Sequence, residues 1–96
     1  MSLVAKLPCV VCERIGMFQQ GRSEVHHIAA GSGVRNDFGV APLCEEHHRG
    51  ATGIHGMGTK AFVRLYRPPG ECEYGLLIWT AQELESHLWA TKRIAA

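Results

Sequence analysis

The sequence predicts a small α+β fold stapled by a structural zinc ion. Three observations carry this. A C-x-x-C pair at Cys9 and Cys12 is answered by C-E-E-H-H from Cys44 to His48; two short strand patterns run into a helix start; and a helix-capping signal recurs near the end of the chain. At 96 residues the chain suits one domain, spanning 1–96, and is too short for two. A unit of this size buries a modest core and often gains stability from a metal or a disulfide, so its four cysteines count as candidate staples.

Taken in order, Pro8 and the C-V-V-C sequence suggest a tight knuckle, followed by a short segment ending at Gly21 and Arg22. Ser23 to Ala30 sets Val25 and Ile28 among polar neighbours and reads as a strand. Gly31, Ser32 and Gly33 break it and open a loop through Arg35, Asn36 and Asp37. Phe38 to Leu43 suits a second strand antiparallel to the first, with Pro42 ending the ladder near its edge. A short helix is expected from Cys44 or Glu45 to about Arg49, stopped by Gly50, and the glycine-rich stretch to Gly58 cannot stay regular for long. Thr59 can cap a second helix over T-K-A-F-V-R-L-Y, with Phe62, Leu65 and Tyr66 on its apolar face and Pro68, Pro69 and Gly70 terminating it. The core unit so defined covers about 9–66, and a strand-and-helix extension follows over about 71–94. Tyr74 to Trp79 reads as its strand. T-A-Q-E from Thr80 to Glu83 matches a capping box, and Trp79 and Leu84 have the spacing of a hydrophobic staple, so the last helix starts there and runs to about Arg93. Its apolar face is Leu84, Leu88 and Trp89, which faces the core or, through Leu88 and Trp89, a second copy of the chain.

Composition narrows the function classes. The first residues carry no apolar stretch and cleavage pattern of a signal peptide, and no apolar run approaches membrane-spanning length, so a cytoplasmic protein without a membrane partner is expected. Disulfides are rare in a reducing compartment, which turns four cysteines among six histidines toward metal binding. A net charge of +1 says little about nucleic acid by itself. Arg22, Arg35, Arg49, Lys60, Arg64 and Arg67 nevertheless bias the middle of the chain against Glu24, Asp37, Glu45 and Glu46; a solvated mixed surface would look the same.

Two intervening residues let a turn present both sulfurs of Cys9 and Cys12 to one tetrahedral zinc, and the same gap separates Cys44 from His47. Those four close a Cys₃His site with no open position for water, which marks it as structural. A redox C-x-x-C of thioredoxin kind would need a strand-to-helix context that Pro8 does not supply. Cys72 is left over as an unligated thiol. A second cluster comprises His26, His27, His48 and His55. Adjacent residues on a strand face opposite ways, so one imidazole of the His26-His27 pair can hold a metal while its neighbour stays available for proton transfer. On a helix His47 and His48 diverge by about a hundred degrees, so His47 can face the cysteines and His48 can face His26. His55 joins them through flexible glycine geometry.

With Cys9-x-x-Cys12, E-V-H-H-I from Glu24 to Ile28, and P-L-C-E-E-H-H-R-G from Pro42 to Gly50 in this order, the chain resembles the HNH endonucleases. The branch it is most similar to is the phage recombination-enhancement, RecA-dependent nucleases, over Cys9 to Tyr66. The resemblance implies a ββα-metal unit of two strands and a helix. It implies His26 as a ligand of a catalytic divalent metal, His27 as general base and His48 as a further ligand. The asparagine of the family's name usually stands five positions before the cysteine of the L-C pair, where this chain has Gly39; Asn36 or Asp37 could brace His27 instead.

On that footing the expected activity is metal-dependent hydrolysis of DNA phosphodiester bonds, related to phage or prophage recombination in a bacterial host, with a recombinase filament as a possible partner. An imidazole suits proton transfer near neutral pH, and an arginine such as Arg35 or Arg49 could clamp the phosphate through its fork. Mg²⁺ or Mn²⁺ is the expected catalytic ion, while an all-histidine shell also suits Zn²⁺ or Ni²⁺. A zinc-binding module that holds nucleic acid or protein without cutting, or a metal carrier, is the competing class.

Overall fold

The computed structural model describes residues 2–28 and 39–95. Helices α1 (Ser2–Lys6) and α2 (Val10–Ile15) lead into an antiparallel pair, β1 (Ser23–His27) and β2 (Val40–Cys44). Short helices α3 (Glu45–His48) and α4 (Ile54–Met57) follow, then α5 (Thr59–Tyr66), a 3₁₀ turn at Pro69–Glu71 and a long helix α6 (Gly75–Ala95). The α+β class is therefore as expected.

The knuckle is tighter than the sequence suggests, because Cys9 itself caps α2: its sulfur accepts the Cys12 amide at 3.5 Å. Gly16 closes the helix in the left-handed region at φ 71, a conformation that costs a residue with a Cβ about 1–2 kcal/mol. Gln19 then straps the knuckle to the sheet. Its side-chain Oε1 accepts the Cys9 amide at 2.7 Å, and its Nε2 donates to Ser23 Oγ at 3.0 Å. Ser23 Oγ donates in turn to the Leu7 carbonyl at 2.6 Å.

In the sheet Ser23 opposes Cys44, Val25 opposes Pro42, and His27 opposes Val40. Pro42 lies inside the ladder rather than ending it; a two-stranded sheet is all edge, where a residue lacking an amide proton is tolerated. Both strands are shorter than expected, and β2 reaches one residue further, to Cys44. Around the sheet, Val10, Val11, Ile28, Ala41, Leu43, Ile54, Phe62, Leu76 and Trp79 form one core.

Further expectations require correction. Tyr74 to Trp79 is not a strand: the chain enters α6 at Gly75, with Leu76 and Trp79 buried and Ile78 exposed, the spacing of a helix face. Thr80 accordingly caps nothing. It lies within α6 and its hydroxyl donates back to the Leu76 carbonyl at 2.7 Å. On α5 the buried residues are Phe62 and Val63 with Tyr66 packed beside them, whereas Leu65 is 56% exposed, and Gly58 rather than Thr59 occupies the cap position. Leu88 is likewise 56% exposed and not core, Leu84 is half-buried, and the Trp89 side chain lies outside the described residues. Among the described residues no helix is long and apolar enough to cross a membrane.

Candidate metal centres

The end of β2 and the start of α3 bring Cys44 and His47 against the α2 knuckle, and all four side chains Cys9, Cys12, Cys44 and His47 are buried. The two sulfurs of Cys12 and Cys44 are 3.8 Å apart. His47 Nδ1 lies 3.6, 3.4 and 3.3 Å from the sulfurs of Cys9, Cys12 and Cys44. Tetrahedral zinc, with bonds of about 2.3 Å to sulfur and about 2.0–2.1 Å to nitrogen, separates its ligands by about 3.8 Å (S to S) and about 3.6 Å (S to N). The donor set fits such an ion. Burial pushes the Cys9 and Cys12 thiols well above their ordinary range, a cost that a bound dication reverses by favouring the thiolates. Burial also lowers His47, keeping its imidazole in the neutral form a metal requires. Tyr66 packs edge-on against the His47 ring at 5.5 Å and donates to the Thr52 carbonyl at 3.0 Å, holding the ligand from its far side. A hollow lined by Met17, Phe18, Gln20, Glu45 and Glu46 opens over Cys12, Cys44 and His47.

The second group takes the next residue of α3, His48. His26, His48 and His55 each offer a nitrogen, and these three atoms lie within 4.8 Å of one another. Their ring centroids are 4.8–5.3 Å apart. The glycines between α3 and α4 allow this: a Cβ on Gly53 would collide with the Glu46 carbonyl, and one on Gly56 with that of Gly50, so only glycine lets the chain fold back tightly enough to return His55 to His48.

Carboxylates hold two of the three rings. His48 Nδ1 donates to Glu24 Oε1 at 2.8 Å, and Arg49 grips the same carboxylate through Nε at 3.0 Å and Nη2 at 2.7 Å. The Arg49 and then the His48 hydrogen bonds hold Glu24 down at about 2, so it is ionised at neutral pH. His26 Nε2 meets Glu73 Oε2 at 2.8 Å, with both side chains buried. Burial, reinforced by the neighbouring imidazoles, lowers His26 to about 4, while burial raises Glu73. Where Glu73 is ionised its carboxylate accepts from Nε2–H, and Nδ1 then keeps its lone pair. That Nδ1 is buried and has no hydrogen-bond partner among the described residues. A buried orphan nitrogen on a ring packed 5.1–5.3 Å from two further imidazoles fits a divalent cation.

His27, opposite Val40 on β1, is half-buried and does not join the three-nitrogen group. Arg35, Asn36 and Asp37 lie outside the described residues. Of the two arginines expected to clamp a phosphate, Arg49 instead has its fork engaged by Glu24. Cys72 is an exposed free thiol. Sequence reasoning passed over Glu24 and Glu73. Glu24 had a usable signal, standing two residues before His26 and so on the same strand face; Glu73 had none, since it reaches His26 from 47 residues away.

A family model described as recombination enhancement, RecA-dependent nuclease, matches residues 1–86 of the chain. No curated protein and no solved structure matches it significantly.

Proposed function

Because this chain belongs to the recombination enhancement, RecA-dependent nuclease family, we propose that it is an HNH-type DNA endonuclease, a metal-dependent phosphodiesterase with His27 as its general base. The observation that carries the reading is the convergence of His26, His48 and His55, with an orphaned buried nitrogen, apart from the Cys₃His group. The order β1, β2, α3 supports a ββα-metal unit, since it places one candidate ligand on the first strand and another on the helix.

In this reading Cys9, Cys12, Cys44 and His47 hold a structural zinc, and its binding free energy is folding free energy. His26, His48 and His55 hold the catalytic ion. A divalent cation bound there would supply Lewis-acid stabilisation of the charge that builds up on the phosphodiester. His27 accepts a proton from the water that attacks phosphorus, and the strand fixes it next to His26 in the chain while leaving its ring outside the ligand group. Asn36 as a brace for His27 and Arg35 as a phosphate clamp belong to the same reading. DNA is the substrate, and the family description points to a recombinase-coated strand as the form in which it is cut.

The test is cleavage of plasmid and single-stranded DNA, naked and RecA-coated, with Mg²⁺, Mn²⁺, Zn²⁺ and Ni²⁺ supplied in turn. Products with 5′-phosphate and 3′-hydroxyl ends are expected with at least one of these ions, and cleavage is lost in His48→Ala while the structural zinc stays bound. Absence of cleavage with every ion and both forms of DNA would defeat the proposal.

A further inference from the structure

We propose that Glu73 is a positioning residue for the histidine metal centre: its buried carboxylate fixes the rotation and tautomer of His26 so that Nδ1 is the atom presented to the ion. The inference rests on the reading of His26, His48 and His55 as a metal site and adds to it a residue from outside the two strands and the helix.

A neutral imidazole can carry its proton on either nitrogen, and a flip of the ring exchanges the two positions. Only with the proton on Nε2 does Nδ1 keep a lone pair for an ion. The carboxylate selects that tautomer, because Glu73 Oε2 lies 2.8 Å from His26 Nε2 and can accept only if the proton is there. Both groups are sealed from water, at 3% and 8% side-chain exposure, so no solvent molecule substitutes easily for the missing partner. Nδ1, left without a partner among the described residues, then has the ion as its natural complement. The His26 ring lies 5.3 and 5.1 Å from those of His48 and His55.

Glu73 is itself held by the fold. It follows the 3₁₀ turn at Pro69–Glu71, and its carbonyl accepts the Leu76 amide at 3.0 Å at the start of α6, where Leu76 is buried in the core. The C-terminal segment thus supplies a support that β1, β2 and α3 lack. Glu24 does a similar job for His48, but it is partly exposed and shared with Arg49, so Glu73 is the more demanding of the two.

The experiment compares the zinc-stapled wild type with Glu73→Ala and Glu73→Gln. Affinity for a second ion is measured by titration with Mn²⁺, Co²⁺ and Zn²⁺, and the His26 tautomer is read from long-range ¹⁵N–¹H spectra before that ion is added. Loss of such a support typically weakens metal binding 10–100-fold. That loss is expected for Glu73→Ala, with a smaller one for Glu73→Gln, whose amide oxygen can still accept from Nε2. His26 should be an Nε2–H tautomer in the wild type and a mixture in Glu73→Ala. Should Glu73→Ala not fold, Glu73→Gln carries the comparison, with weakened second-ion binding expected and the Cys₃His zinc retained. Wild-type affinity in the folded variants, or an Nδ1–H tautomer in the wild type, would overturn the role of Glu73 alone. A wild type that takes up no second ion would overturn the metal-site reading together with it.

Discussion

Cys44 closes β2 and precedes α3, so one sulfur ties the sheet, the helix and the N-terminal knuckle together. Its replacement leaves three ligands, two of them buried thiols with no cation to favour their ionised form. Cys44→Ala is therefore expected to lose stoichiometric zinc and the cooperative unfolding transition, as seen by metal analysis and circular dichroism. Cys72→Ala, at an exposed thiol, should retain both. The grouping of these four side chains was legible from spacing, because two residues between donors is a local pattern with a geometric reason. The split between His47 and His48 was legible too, since neighbouring helix positions point about a hundred degrees apart. Glu73 was not, because no pattern in the sequence announces a carboxylate that reaches its histidine through tertiary structure.

At the level of elements, the two strands and α3 could be read from short segments with apolar residues set off by glycines, and from the cysteine and glycine that bracket the helix. The end of the chain could not. G-L-L-I-W is a short apolar run, equally compatible with a strand or a buried helix turn, and a staple with a capping box happens to follow it. A strand there would need a ladder partner, whereas a helix satisfies its own backbone and still buries Leu76 and Trp79 on one face. Arg14 reinforces that choice, lying 5.5 Å over the Trp79 ring and donating to Gln82 one turn further along α6. The two readings differ at Thr80. As a cap, its replacement by alanine would cost about 1 kcal/mol; inside a helix, bonded back to Leu76, Thr80→Ala should be neutral or stabilising by a few tenths. Denaturant unfolding of that variant decides between them.

Across the whole molecule, adjacent residues of α3 serve two groups of donors, His47 a sulfur-rich one and His48 an imidazole one. Stability should report the buried imidazole. His26 falls from an ordinary 6.5 to about 4, so its contribution is fully present above pH 6.5 and is lost as pH falls through about 4, while the unfolded chain takes up a proton that the native state refuses. The slope from this group is about 1.4 kcal/mol per pH unit, and His26→Asn should show a correspondingly shallower dependence when unfolding is followed between pH 7.5 and pH 4. The proposed role of His27 as general base, with other histidines holding the ions, is tested most directly by His27→Ala with the ion content of each sample counted. Two bound ions per chain are expected, as in the wild type, with DNA cleavage reduced by about 10²–10⁴-fold, the usual worth of a general base. Cleavage at the wild-type rate with both ions in place would contradict it.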